Sequence, residues 1–87
     1  MYWRKPEPAA VLPPHSRFDR RLQYLMIRYG YTAASLARKT GIKEGTIRSW
    51  SKGERNVKGV DRLIQLADLF DVTLDWLLGR TEEGGPT

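Results

Sequence analysis

Cysteine is absent from the chain and histidine occurs once, at His15. Neither a disulfide framework nor a thiolate metal site can be built, and a lone imidazole makes no ligand cluster. No apolar run approaches the roughly 18 residues that a membrane-spanning helix needs. The first residues also lack the apolar block of a secretory signal. These absences predict a soluble, cytoplasmic protein with no metal and no membrane partner. No nucleophile is spaced with a base, and Asp61, Asp68, Asp71 and Asp75 are dispersed as on a solubilising face. We therefore expect neither an enzyme nor a cofactor. Period-two alternation is missing as well, so no sheet is expected.

What is present is cationic, and unevenly so. Within a chain of 87 residues, long enough for one small domain, residues 1–58 hold 13 Lys/Arg against 4 Asp/Glu. Residues 59–87 hold 2 against 6, leaving a formal net charge of +5 overall. A polyanion would be drawn to the first part and repelled from the second. A solvated basic surface has the same composition, so charge alone leaves the two readings open.

Four of the five prolines fall in residues 1–15, at Pro6, Pro8, Pro13 and Pro14. Such spacing removes too many backbone donors for regular structure and predicts an extended arm. Ser16 is placed to cap a first helix, with Asp19 near its positive end. Phe18, Leu22, Leu25 and Met26 give that helix its apolar spacing, and Gly30 stops it. Thr32 caps a second helix in which Leu36 and Ala37 face inward. Thr40-Gly41-Ile42 forms a tight turn, with Gly41 in the left-handed conformation that glycine adopts freely.

A third helix follows, to about Lys52, with Ile47 and Trp50 anchoring one face in the core. Its other face carries Gly45, Arg48, Ser49 and Lys52, an i, i+3, i+4, i+7 stripe. Val60, Leu63, Ile64, Ala67 and Phe70 mark a fourth helix, closed by Asp71 in a left-handed position. Thr73 caps a short fifth helix with Leu74, Leu77 and Leu78, ended by Gly79. The expectation is an all-α domain of five helices over residues 16–80, an arm over 1–15 and a flexible tail over 81–87. An apolar anchor beneath short and cationic groups suits a helix that enters a major groove.

Leu36-Ala37, Gly41-Ile42, Thr46-Ile47, Trp50, Lys52-Gly53 and Arg55-Asn56 together resemble the phage-repressor and Cro-like (XRE-type) helix-turn-helix family. The resemblance continues through Leu63-Ile64-Gln65-Leu66-Ala67, Phe70, Val72-Thr73-Leu74-Asp75 and Leu77-Leu78-Gly79. It implies a five-helix, lambda-repressor-like bundle that binds operator DNA as a homodimer, with the motif's second helix in the major groove. Lys43, Glu44, Gly45, Arg48 and Ser49 match base-facing positions. Thr32, Ala33, Thr46, Lys52, Arg55, Asn56 and Lys58 match positions that follow the DNA backbone.

Three departures stand out. Ala33 occupies the place of a phosphate-binding glutamine, leaving that contact to backbone N–H groups or Thr32. Lys43 replaces a Ser/Thr cap, at about 0.5–2 kcal/mol of helix stability. Gly45 costs roughly 1 kcal/mol against alanine, and its missing side chain either lets the helix approach a groove closely or makes the contact less discriminating.

Each position has a plainer role beside the functional one. Arg48 either bridges guanine O6 and N7 or pairs with Glu44 at i, i+4. Glu44 either accepts from a cytosine amino group or only counters the Arg48 charge. Lys52 and Arg55 are phosphate contacts or solvated cations, and Asn56 contacts DNA or caps its turn. Trp50 reads as core. Arg4 and Lys5, beside Tyr2 and Trp3, fit a minor-groove arm, a protein-binding arm or plain disorder. Leu69 and Trp76 lie off the inward stripes and are candidates for a two-fold contact or for burial within the monomer.

The favoured reading is a double-stranded DNA-binding transcriptional regulator, a repressor on a palindromic operator. The alternative is an antitoxin-like or anti-repressor-like module whose arm grips a protein partner.

Overall fold

The computed structural model describes residues 16–53 and 59–86, and among these it is all-helical. Five helices follow in order: α1 (Phe18–Arg28), α2 (Ala33–Thr40), α3 (Glu44–Lys52), α4 (Val60–Phe70) and α5 (Leu74–Leu77). No described residue is in a strand. Helix α3 is held between α1 and α2, while α5 lies against both α4 and α1. The centre is apolar: Leu22, Leu25, Leu36, Ile47, Leu66 and Leu77 are fully buried.

The ends of the helices follow local chemistry. The Thr32 hydroxyl accepts from the Ser35 N–H, and the Ser35 hydroxyl accepts from the Thr32 N–H. This reciprocal box satisfies two of the donors that a helix start leaves open. Gly41 closes α2 at φ 80°, with its N–H on the Ala37 carbonyl. The turn is held from two further sides. Thr40 Oγ1 donates to the Leu36 carbonyl, and Gln65 Nε2 of α4 donates to the Thr40 carbonyl. Asp71 ends α4 at φ 56°, and the Val72 N–H reaches back to the Ala67 carbonyl at 3.0 Å. That is a left-handed cap made with aspartate in place of glycine.

Four expectations are corrected. The N-cap of α1 is Arg17, and it makes no side-chain capping bond; Ser16 is buried instead, its carbonyl accepting from Arg21 Nε at 2.7 Å. In α4 the buried line is Leu63, Leu66, Ala67 and Phe70, while Val60 and Ile64 are exposed. Val60 is the first residue of its helix and Ile64 stands on the flank, so the core line runs one side-step from the expected one.

Trp76 is only 4% exposed and Leu69 is half-buried against the core, so the apolar surface patch expected there is missing. The reason lies in residues 81–86. They turn back over α5 rather than trailing away, with the Thr73 N–H bonded to the Gly84 carbonyl. Gly85 lies so close to the indole that an added Cβ would stand 2.6 Å from Trp76 Nε1.

One side chain organises that corner. Arg21 is fully buried, with its guanidinium 4.8 Å from the centre of the Trp76 ring. Its Nε donates to the Ser16 carbonyl, and its Nη1 donates to the carbonyls of Trp76 and Thr81 at 3.0 and 3.1 Å. Nη2 pairs with Glu82 at 2.7 Å. A buried charge is tolerable only when paired and hydrogen-bonded in this way. Arg21 thereby ties the start of α1, the end of α5 and the C-terminal segment together.

Candidate nucleic-acid interface

Helix α3 sits where its sequence divides it. Ile47 and Trp50 are buried, and Phe18 of α1 meets Trp50 edge-on with ring centres 6.0 Å apart. Lys43, Gly45, Arg48 and Lys52 are exposed on the other side, with Glu44, Thr46 and Ser49 half-buried at its margins. A Cβ at Gly45 would meet only open space, so this glycine is not required by packing among the described residues. The exposed face is therefore low at Gly45 and cationic around it.

The last turn of α3 is fixed to α1. Gln23 Nε2 donates to the Ser51 carbonyl, and the Asp19 carboxylate lies beside Gly53. Gly53 ends the helix at φ 73°. Gln23 has no signal in the sequence beyond its place beside the apolar stripe of α1, and Asp19 is expected only as a charge near the start of that helix, not as a neighbour of Gly53. At the other end Lys43 is the N-cap and makes no capping bond, as its side-chain chemistry requires. Glu44 in the first turn offers the helix its only carboxylate. It forms an ion pair with Arg48 across one helical turn. The plainer role foreseen for Arg48 is thus present in the free protein.

At the start of α2, of the two phosphate contacts left open by Ala33, the backbone one is the more available. The Thr32 hydroxyl is engaged in the cap with Ser35, and Ala33 is half-buried against the core. Any anion held there would meet the backbone N–H groups of the first turn rather than a side chain. Arg28, at the end of α1, lies over the rings of Tyr24 and Tyr29. Its pKa is raised, first by its hydrogen bond with the Tyr29 side chain. Arg55, Asn56 and Lys58, and the arm with Arg4 and Lys5, lie outside the described residues.

Two helices joined by a three-residue glycine turn, the second clamped from beneath and cationic above, make the geometry plain. The sequence pattern of the family described as Helix-turn-helix matches residues 22–77. The chain belongs to the XRE-type helix-turn-helix family. That span runs from the core of α1 to the end of α5, so the helix-turn-helix unit takes in all five helices.

The chain is also similar to an uncharacterized HTH-type transcriptional regulator, YobD, of Bacillus subtilis (strain 168), with 33% identity over 69 residues. That stretch covers 79% of this chain and 61% of the relative, so the chain spans about three-fifths of the relative's length. No solved structure matches at a significant level. No helix among the described residues is long and apolar enough to cross a membrane.

Proposed function

We propose that the chain is a sequence-specific binder of double-stranded DNA that regulates transcription, acting in the cytoplasm as a repressor and carrying no catalytic site. The carrying observation is α3: Ile47 and Trp50 hold it from below while Lys43, Gly45, Arg48 and Lys52 stand open above. Family membership and the likeness to an HTH-type regulator support the same reading. In it α3 enters the major groove from its N-terminal end, with Lys43, Glu44, Arg48 and Ser49 facing base edges. Lys52 and the N–H groups at the start of α2 grip phosphates, fixing register without reading sequence.

Repression follows from occupancy: a dimer seated on its operator denies the promoter to polymerase. The exposed large apolar side chains available for a two-fold contact include Val60 and Ile64, one turn apart on α4. A two-fold dimer would place two α3 helices about 34–36 Å apart, one turn of duplex, and so call for a near-palindrome. Selecting bound duplexes from a random pool at physiological salt tests this. Enrichment of two inverted half-sites with centres about 10–10.5 base pairs apart is expected. A pool that never departs from random would contradict sequence-specific binding, and single unpaired half-sites would contradict the dimer.

A further inference from the structure

Arg48 and Glu44 are the two side chains of α3 with the richest base-reading chemistry, and they touch each other. Glu44 Oε2 pairs with Arg48 Nη2 across one turn, with the two side chains 36% and 59% exposed. Both therefore reach the surface together. We propose that Glu44 and Arg48 act as a single coupled reader of a guanine and a cytosine, in one G·C pair or two adjacent ones. This inference rests on α3 entering the major groove.

Donor and acceptor arithmetic makes the unit possible. A guanidinium carries five N–H donors in a planar fork. One Nη2 proton holds Glu44, while the second Nη2 proton and an Nη1 proton remain for guanine O6 and N7. The carboxylate accepts only, so its other oxygen suits a cytosine N4 amino group. Thymine O4 and guanine O6 and N7 are acceptors, and each would leave a desolvated carboxylate facing a lone pair. Glu44 thus disfavours thymine and guanine as well as recruiting cytosine.

The ion pair also restrains a long, rotamer-rich side chain before DNA arrives, which reduces the ordering cost of the guanine contact. Without the carboxylate, Arg48 is free to swing to a phosphate. One negative charge would also be gone from a face pressed against a polyanion. Both changes strengthen binding to any duplex while weakening the preference for one.

The test is a double-mutant cycle on the full chain, using the best duplex from the random-pool selection and its single-base-pair variants. Wild type, Glu44→Gln, Arg48→Ala and the double variant are compared, with helical circular dichroism confirming that each is folded. Arg48 is exposed and Glu44 only half-buried, so folding should survive. Wild type should discriminate about tenfold or more at both the guanine and the cytosine. Glu44→Gln should lose most of both, bind random duplex more tightly, and shift the cytosine position towards adenine, which an amide reads well. The double variant should discriminate no worse than Arg48→Ala alone.

Losses from the two substitutions that multiply, or a Glu44→Gln variant that still reads the guanine at full strength, would show two independent contacts and overturn the coupled reader. A wild-type chain that prefers no duplex would instead remove the groove reading itself, and the coupled reader with it.

Discussion

Arg21 shows how one buried cation can decide the packing of a small domain. It serves three carbonyls and one carboxylate, of which Glu82 is half exposed. Arg21→Ala should cost about 2–5 kcal/mol, because it leaves two buried carbonyls and a part-buried one short of donors as well as removing the ring contact. Glu82→Gln should cost only about 0–1 kcal/mol, since an acid so exposed is largely screened. Urea unfolding followed by tryptophan fluorescence checks both; equal losses would mean that the ion pair, not the carbonyl set, holds the corner.

Two glycines separate backbone strain from crowding in the same way. Gly41→Ala meets open space and suffers only the left-handed penalty, about 1–2 kcal/mol. At Gly79 the conformation is also left-handed, and an added Cβ would lie 2.8 Å from the Ser16 carbonyl oxygen. Gly79→Ala should be the more damaging of the two by denaturant midpoint.

At the scale of the helix, the two members of the motif are capped unequally. Helix α2 begins with a complete Thr32–Ser35 box, whereas α3 begins at Lys43 with no capping bond. Thr32→Ala should destabilise the domain by about 0.5–2 kcal/mol, and Lys43→Ser should stabilise it by a similar amount. Thermal unfolding reads both changes; a Lys43→Ser variant that melts no higher would mean α3 is set wholly by tertiary packing. The same substitution separates stability from binding, since Lys43 is also a candidate base contact.

The helices were legible because their signals are local. Ile47 and Trp50 three apart, Gly41 at the turn, and Thr32 and Thr73 as caps depend only on neighbours within a turn or two. Leu66 and Ile64 exchanged roles because a stripe read from one end of a helix can rotate by a side chain without breaking its spacing. For Trp76 the sequence left a two-fold contact and burial within the monomer both open. A helix of four residues has no stripe to read, and what buries Trp76 is Arg21, 55 residues away, with Gly85 close against the indole. Arg21 itself had a signal: Phe18, Leu22 and Leu25 stand at i−3, i+1 and i+4, which puts its stem on the inward face.

For the molecule as a whole, the basic first part and the acidic remainder give the fold a direction. The open face of α3 belongs to the basic part, and the four aspartates of α4 and α5 and the loops between and beside them belong to the acidic part. A duplex would be steered towards the first and kept off the second. Binding should therefore weaken steeply with salt, and the individual cations of α3 should contribute to that weakening in different ways.

Comparing Arg48→Ala and Lys52→Ala on the best selected duplex and on random duplex, across a salt series, tests the groove reading most directly. Arg48→Ala should cost about 1–3 kcal/mol on the selected duplex, far less on random DNA, and flatten preference at its base pair. Lys52→Ala should weaken both duplexes alike and reduce the salt slope by about one. If Arg48→Ala weakens selected and random DNA equally, or neither variant changes binding, the exposed face of α3 does not read DNA.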